Sequence, residues 1–430
     1  MRQSVVLLAI LTASGPAVGQ QRAVTADDYR RGEQFLRANT ASLVLGNAGR
    51  PTWIENDRVW YRNTIPEGTE FVLVDAGART RTRAFDHEGL AAALSAVADT
   101  TYDSFDLPFN TFEFTNGNQE ITFTIGRRRF TCEVHGDRCA TERAGGRGVA
   151  RNASVSPDST RAVFIRDNNL WARDLATGRE TQLTTDGIED YGYATDNAGW
   201  TKSDRPVVLW SPDSKKIATF QHDARGVGEM YLVSTNVGHP TLEAWKYPLP
   251  EDSVIFRISR VIIDVENQRV IRLQMPPDQH RSTICDHIRC GGRFSDVEWS
   301  PDGTQLAFVS SSRDHKEAKL RVADAATGEV RDVMEEKVDT FFESGSRMVN
   351  WHFLPASNEV IWFSQRDNWG HLYLFDLATG QLKHQITRGE WNVLQLRRID
   401  EENRTLYFTG SGHEPGDPYF HYFYSIGMDG

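Results

Sequence analysis

Long apolar runs are almost absent from this 430-residue sequence. The one clear run, VVLLAILTA at residues 5–13, is about half of the roughly 20 apolar residues that a helix needs to cross a bilayer. Arg2 precedes this run, and the small residues Ala17 and Gly19 follow it, which is the layout of a secretory signal peptide. We therefore expect a signal peptide at 1–19, no membrane span, and an exported protein that is periplasmic or secreted.

Basic residues are fewer than acidic residues in this sequence. The sequence has 48 lysines and arginines against 59 aspartates and glutamates, which gives a formal net charge of −11 at pH 7. Proteins that bind nucleic acid or an anionic membrane surface need a basic patch. The composition therefore argues against both of these partners.

Cysteines are few, and they form two close pairs: Cys132 with Cys139, and Cys285 with Cys290. In an oxidising compartment, two close pairs predict two local disulfides. The stretch HRSTICDHIRC also places His280 and His287 beside the second pair, so a zinc site is the alternative there. Its spacing matches none of the usual paired-ligand patterns. We therefore expect disulfides, no metal site and no other cofactor.

One pattern recurs along the chain: a short apolar run, a Ser-Pro-Asp turn and a second apolar run. The copies are ASVSPDSTRAVFI near residue 155, VVLWSPDSKKIATF at 207–220, DVEWSPDGTQLAFV near residue 299, and a worn copy, VNWHFLPASNEVIWF, near residue 351. The runs are rich in Val, Ile, Phe and Trp, as strands are. Proline presets φ and Asp bonds back to its own backbone, so the intervening residues predict a tight turn.

A second pattern, at 170–184, 320–333 and 372–387, follows the copies near residues 155, 299 and 351: strand, Asp, two or three small residues, Gly, strand. Its glycines, Gly178, Gly328 and Gly380, fall where a short hairpin needs a left-handed residue. Each unit is therefore four strands, and a four-stranded unit repeated every 40–50 residues or so is typical of a β-propeller. Trp210 and Trp299 are too far apart for one such unit, so we place an insertion between them at 238–253.

The sequence thus predicts an all-β fold, a β-propeller of seven or eight four-stranded blades over residues 51–430. Seven blades can be counted directly, and an eighth would be split between the two ends. The Ala- and Leu-rich stretch 87–99 predicts a helix with Asp86 as its N-cap. A short helical lead-in is expected within residues 20–50.

Several segments resemble the N-terminal propeller region of the dipeptidyl peptidase IV branch of the prolyl oligopeptidase family. They are DGIEDYGYATDNAGW at 186–200, the LWSPDSKKIATFQHDARGVGEMYLV stretch that follows, and residues 362–393 and 410–430, which are similar to that region's penultimate blade and final strands. The resemblance begins at about residue 50 and reaches Gly430, and it is specific as a set. It implies a propeller that belongs to a serine-type peptidase system.

The first departure from that family concerns catalysis. In the family an α/β-hydrolase domain follows the propeller, and this chain stops where that domain would begin. The sequence contains no G-x-S-x-G nucleophile elbow. We therefore expect no catalytic residue in this chain and no peptide hydrolysis by the chain alone. A truncated gene product and a partner for a separately encoded hydrolase are both compatible with this pattern.

The second departure concerns substrate binding. The dipeptidyl peptidases carry a glutamate pair after a D-W-x-Y-like stretch, and the pair holds the free amino terminus of the substrate by charge-assisted hydrogen bonds. Here residues 190–193 read DYGY and residues 194–195 are Ala and Thr, so the pair is missing, although Asp196 follows. The weak candidates for substrate binding are Asp190, Tyr191, Tyr193 and Asp196. The alternative is that both carboxylates are loop groups that face water.

Two classes of function remain. In the first, the chain is the non-catalytic propeller of a serine peptidase system and gates or docks peptides for a hydrolase not in this chain. In the second, it is a free-standing periplasmic propeller that binds a protein or another ligand, as Tol-type propellers with similar repeats do. The resemblance favours the first class.

Overall fold

The chain folds as two compact units, Met1–Gly145 and Gly146–Gly430. The predicted signal peptide lies outside the residues that can be described. The structure is a computed structural model, and it describes residues 24–126, 128–136, 138–143, 152–196, 203–235, 237–345 and 347–430.

The first unit contains three α-helices and two antiparallel four-stranded sheets, β1-β2-β3-β4 and β5-β6-β7-β8. The elements are α1 (Ala26–Glu33), α2 (Arg37–Thr40), β1 (Thr52–Ile54), β2 (Arg58–Ile65), β3 (Gly68–Asp75), β4 (Thr80–Arg83), α3 (His87–Ala98), β5 (Glu113–Thr115), β6 (Glu120–Ile125), β7 (Arg128–Glu133) and β8 (Cys139–Arg143).

Two of the three helices of this unit, α1 and α3, begin at residues whose side chains cap them. Asp86 accepts hydrogen bonds from the backbone N–H groups of Glu88 and Gly89 at 3.1 and 3.2 Å, which confirms it as the N-cap of α3. Leu90 and Leu94 of α3 are buried in an aromatic core that also contains Phe71. The helix therefore closes one apolar face of the two sheets.

The second unit contains five larger sheets and two short hairpins. Its strands are β9 (Ser154–Val155), β10 (Arg161–Arg166), β11 (Asn169–Asp174), β12 (Glu180–Gln182), β13 (Tyr191–Tyr193), β14 (Leu209–Trp210), β15 (Lys216–Asp223), β16 (Glu229–Ser234), β17 (Thr241–Lys246), β18 (Arg257–Asp264), β19 (Arg269–Arg272), β20 (Asp278–Gln279), β21 (Arg289–Cys290), β22 (Arg293–Phe294), β23 (Val297–Trp299), β24 (Gln305–Ser311), β25 (Glu317–Asp324), β26 (Val330–Lys337), β27 (His352–Leu354), β28 (Glu359–Ser364), β29 (His371–Asp376), β30 (Leu382–Gln385), β31 (Asn392–Asp400), β32 (Thr405–Ser411) and β33 (His421–Gly427).

Each large sheet is one propeller blade, with its strands antiparallel and mostly in chain order. The five blades of this unit are β9–β12, the sheet built on β13, β14, β15, β18, β19 and β20, then β23–β26, β27–β30 and β31–β33. With the two sheets of the first unit, the described residues form seven blades, which confirms the predicted β-propeller class. The last blade has three strands among these residues rather than the predicted four.

The Ser-Pro-Asp turns have one geometry throughout. In each clear copy the Ser hydroxyl donates to the Asp carboxylate at 2.6 Å, and the same hydroxyl accepts the N–H of the first residue of the next strand. The glycines of the second pattern adopt the left-handed conformation, with φ of 75°, 76° and 69° at Gly178, Gly328 and Gly380. Both turn predictions are confirmed, because each depends on hydrogen bonds within a few residues.

The insertion between Trp210 and Trp299 is larger than predicted and begins earlier. It is the hairpin β16–β17, which pairs Glu229 with Lys246 at its base and has no strand partner in the blade. The predicted bounds, 238–253, took in only its second strand and the loop that follows. The residues of β16, EMYLVS, have the apolar content of a blade strand, so composition alone could not separate them from the blade.

Apolar clusters fill the space between neighbouring blades of the second unit. One of them joins Trp351 and Trp362 to Val309 and Leu320 of the preceding blade. Another joins Phe363 to Phe408 of the following one. None of the described helices combines the length and the apolar character needed to cross a bilayer.

Candidate functional site

The second blade of the second unit carries all four residues predicted to bind substrate. Asp190 precedes β13, Tyr191 and Tyr193 lie in it, and Asp196 follows it. The strand pairs with the end of β15, where Gly192 lies opposite His222. The fold therefore places these residues along one short stretch of backbone.

Asp190 and Tyr191 are each engaged by a cation. The Asp190 carboxylate forms an ion pair with Lys246 of the insertion hairpin, with Nζ and Oδ2 2.7 Å apart. The Arg225 guanidinium carbon lies 3.9 Å from the centre of the Tyr191 ring, and Arg225 also pairs with Asp223. The negative charge of Asp190 is therefore already compensated within the chain.

Tyr193 is fully buried in an apolar cluster that also contains Trp210. Its hydroxyl donates to Asp186 at 2.7 Å and accepts a hydrogen bond from Arg272 at 2.8 Å. Burial raises the pKa of this phenol above its ordinary value. Tyr193 lies in the body of the blade and lines neither of the cavities described next.

A polar cavity of about 310 Å³ lies between β13, the end of β15 and the insertion hairpin. The blade contributes Asp190, Thr195 and His222, and the hairpin contributes Ala244 and Lys246. We call it the hairpin cavity. It has the volume of a small ligand pocket, and such pockets commonly measure about 300–1,000 Å³.

Asp196 does not line the hairpin cavity and lies close to two histidines. Its Oδ1 is 3.6 Å from His280 Nε2 and 3.7 Å from His287 Nδ1, and one ligand atom from each residue lies within 4.8 Å of the others. The His222 ring centre is 4.7 Å from that of His280. The structure thus brings together residues that are far apart in sequence.

The loop that carries His280 and His287 is anchored at its start and its base. His280 directly follows β20, where the buried pair Arg260 and Asp278 fixes the strand with Nε and Oδ2 3.0 Å apart. Buried Asp296 accepts hydrogen bonds from the Thr283 N–H and hydroxyl at 2.6 and 2.9 Å. These contacts determine where the two histidines lie.

Both predicted disulfides are present in the structure. Cys132 pairs with Cys139 in the first unit, and Cys285 pairs with Cys290 in the second. The second disulfide closes the loop of residues 285–290, which we call the disulfide loop, and His287 lies inside it. The predicted alternative, with these cysteines as zinc ligands, is not the arrangement found.

Burial controls the protonation of the histidines. It lowers the pKa of His280 well below the ordinary value and that of His222 to about 4. The neighbouring Asp196 carboxylate raises the pKa of His287 in spite of its partial burial. At neutral pH His222 and His280 are therefore neutral imidazoles.

A second cavity, of about 190 Å³, opens beside this cluster, and we call it the histidine cavity. It is lined by His280, His287, Arg281, Tyr247 and Phe256, among others.

Sequence reasoning missed Lys246 and His222 as members of the site. No local signal marked either, because both reach it through strand pairing across the insertion.

Residues 119–430 match the family model described as the dipeptidyl peptidase IV (DPP IV) N-terminal region. This match covers well over half of the chain. The chain belongs to this family. The membership confirms the resemblance predicted from the sequence.

Curated relatives carry peptidase names. "Probable dipeptidyl peptidase 4" of Emericella nidulans is 25% identical over 288 residues, which cover 62% of this chain and 35% of that protein. "Probable dipeptidyl-aminopeptidase B" of Aspergillus oryzae is 24% identical over 312 residues, which cover 66% of this chain and 33% of that protein. The chain thus spans about a third of the length of these relatives.

A solved bacterial structure shares the fold. The crystal structure of Porphyromonas gingivalis dipeptidyl peptidase 4 is similar with a TM-score of 0.58 and 17% identity, over 91% of this chain and 53% of that one. At this identity the likeness establishes the propeller fold alone. The chain spans about half the length of that structure.

Proposed function

We propose that this DPP IV N-terminal region is exported and docks peptides for a hydrolase of the dipeptidyl peptidase type. The single observation that carries the proposal is the family match over residues 119–430. The names of the relatives describe peptide hydrolysis by those proteins, and this chain corresponds to about a third of their length. A propeller without a nucleophile elbow can bind a peptide but does not supply the nucleophile that cleaves it, so docking is the step that we assign to this chain.

The hairpin cavity is the proposed docking place. It combines polar groups of β13 and β15 with a wall supplied by the insertion hairpin. A peptide bound there would meet Thr195 and His222 on one side and Ala244 on the other. An extended peptide needs such polar partners because its backbone groups lose their hydrogen bonds to water on burial.

The charges around the cavity determine which peptides bind. A free amino terminus is held by carboxylates that are not otherwise compensated. Asp190 is paired with Lys246, and Asp196 lies between His280 and His287. We therefore propose that the chain binds N-terminally blocked or longer peptides nearly as well as free dipeptidyl ends.

Export is supported by two observations. The sequence of residues 1–19 has the layout of a signal peptide. The two disulfides are of the kind that persist in the periplasm and outside the cell. A periplasmic or secreted location would also place the chain where exogenous peptides are met.

Filling the hairpin cavity tests the docking site. Ala244 is exposed on β17 and lines the cavity, so Ala244→Trp should occupy it at little cost to the fold. Thr241→Trp, on the same strand and outside the cavity lining, is the matched control. We expect Ala244→Trp to weaken binding of a fluorescent proline-containing peptide by at least about tenfold, which is about 1.4 kcal/mol. Fluorescence anisotropy of the purified chain measures this binding.

Two outcomes would overturn the proposal. One is peptide binding that is the same in both tryptophan variants and the native chain. The other is that the native chain does not bind the peptide and binds a protein or another periplasmic ligand instead. The second outcome would favour the free-standing propeller. Incubation with a chromogenic Xaa-Pro substrate and a fluorophosphonate probe, with no turnover and no serine labelling expected, completes the test.

A further inference from the structure

We propose that Asp196, His280 and His287 form a binding site for a divalent transition-metal ion, with zinc as the preferred ion. This inference goes beyond peptide docking and does not depend on it. It differs from the expectation of no metal site drawn from the sequence. The three side chains come from two segments of the second unit, the residue stretch after β13 and the loop after β20.

The spacing of the three side chains is the first argument. The Asp196 oxygen lies 3.6 and 3.7 Å from the two imidazole nitrogens, which is too long for hydrogen bonds. Two ligand atoms that share a tetrahedral zinc ion at about 2.1 Å lie about 3.4 Å apart. The two distances from the carboxylate to the imidazoles are therefore within a few tenths of an ångström of this value, and one ligand atom from each of the three residues lies within 4.8 Å of the others.

Unpaired polar atoms are the second and independent argument. Among the described residues, none forms a hydrogen bond with Asp196 Oδ1, with either ring nitrogen of His280, or with His222 Nε2, and all four atoms are buried. The His280 side chain is only 2% exposed. Leaving so many buried polar atoms unpaired is costly, and a bound cation would remove that cost.

The chemistry of the donors selects the ion. Two imidazoles and one carboxylate suit zinc and its neighbours among the first-row metals, whereas calcium and magnesium prefer oxygen ligands alone. Neutral imidazole is the form that binds a metal. Because Cys285 and Cys290 are paired with each other, their sulfurs do not compete for the ion in the oxidised chain.

The surroundings give the site a rigid frame and an opening. The disulfide loop holds His287, and Asp296 fixes the start of that segment through Thr283. His280 and His287 also line the histidine cavity. Three protein ligands leave a fourth position for water or for an oxygen of a ligand bound in that cavity.

Zinc binding by the full-length, oxidised, metal-free chain tests the proposal. Isothermal titration with zinc chloride and elemental analysis after dialysis should give about one zinc per chain. Asp196→Asn and His287→Ala should each weaken zinc binding by at least about tenfold, since even residues behind the ligands contribute that much. Asp204→Asn and His239→Ala, which change an exposed residue of the same type outside the cluster, should bind zinc as the native chain does.

Cobalt provides a readout that does not depend on affinity. Co²⁺ bound to two imidazoles and a carboxylate should give visible ligand-field bands, and His287→Ala should change them. Circular dichroism of each variant separates loss of a ligand from loss of the fold. The proposal is overturned if the native chain binds no zinc, or if both cluster variants bind it as tightly as the controls. It is equally overturned if zinc binds only after reduction, because the thiols would then be the ligands.

Discussion

Glu359 connects the last two blades through charge. Glu359 is the first residue of β28. It forms ion pairs with Lys383 of β30 and with Arg404 in the turn before β32, and its Oε2 lies 2.8 Å from Arg404 Nη1. Its side chain is 3% exposed. Burial acts to raise the pKa of Glu359, but the bonds from Arg404 and Lys383 outweigh it and lower the pKa to about 2.

The pKa of Glu359 predicts a pH dependence of stability. A carboxyl whose folded-state pKa is depressed stabilises the fold above its unfolded pKa, here 4.5, and loses that effect as the pH falls toward 2. We expect Glu359→Gln to lower the free energy of unfolding by about 1–3 kcal/mol at neutral pH. The difference from the native chain should shrink as the pH falls from 4.5 toward 2.

Urea denaturation at a series of pH values measures this difference. Glu402→Gln changes an exposed glutamate of the neighbouring turn and is the control, with no expected change in stability at any of these pH values. If Glu359→Gln lowered the free energy of unfolding by the same amount at pH 2.5 and at pH 7, the residue would act through its shape rather than its charge.

At the residue scale the sequence predicted local contacts and missed distant ones. The bonds of Ser211 to Asp213 and of Gly178 to Asp174 span five residues or fewer, so residue type alone indicates them. The pairing of Asp190 with Lys246 spans an insertion whose start was itself mispredicted. The contact of Asp196 with His280 is also distant in sequence, and the sequence offered Asp196 only as a weak candidate for substrate binding or as a loop carboxylate that faces water.

At the scale of elements, the disulfide loop should contribute modestly to stability. Cys285 and Cys290 are separated by only 5 positions in sequence, so their bond removes little freedom from the unfolded chain. The loop-entropy model gives about 2 kcal/mol for such a short loop. We expect the Cys285→Ser/Cys290→Ser chain to lose no more than that in free energy of unfolding, without reductant.

The other disulfide is the matched comparison. Cys132 and Cys139, with a sequence separation of 7, close a loop of similar size in the first unit, and Cys132→Ser/Cys139→Ser should cost a similar amount. If Cys285→Ser/Cys290→Ser alone lowered the free energy of unfolding by far more than about 2 kcal/mol, the disulfide loop would also stabilise residues outside itself. Mass mapping of unreduced peptides should find both pairs, and four free thiols would contradict the assignment.

Elements with a repeated sequence pattern were the most predictable. The Ser-Pro-Asp turns and the glycine hairpins located most strands of the second unit, because each blade repeats the same short-range chemistry. Helix α3 was predicted almost to the residue, since Asp86 caps it and its apolar residues recur at helical spacing. The hairpin β16–β17 repeats in no other blade, and the repeat could not locate it.

At the scale of the whole molecule, the chain combines a propeller fold, membership of the DPP IV N-terminal family and a cavity in which Asp190 is paired with Lys246. The fold and the family were readable from repeats and resembling segments. The cavity was not, because it depends on the hairpin lying over β13 and β15. The charge of Asp190 was readable, whereas its neutralisation by Lys246 required the structure.

The most direct test of the central claim compares two forms of one peptide on the purified full chain. Binding of a fluorescent Xaa-Pro peptide is measured by anisotropy with its amino terminus free and with the same terminus acetylated. Because Asp190 is paired with Lys246 and Asp196 does not line the hairpin cavity, we expect dissociation constants within about threefold of each other, a difference below about 0.7 kcal/mol. A preference of about a hundredfold or more for the free amine would contradict it, because an uncompensated carboxylate would then have to hold the ammonium group.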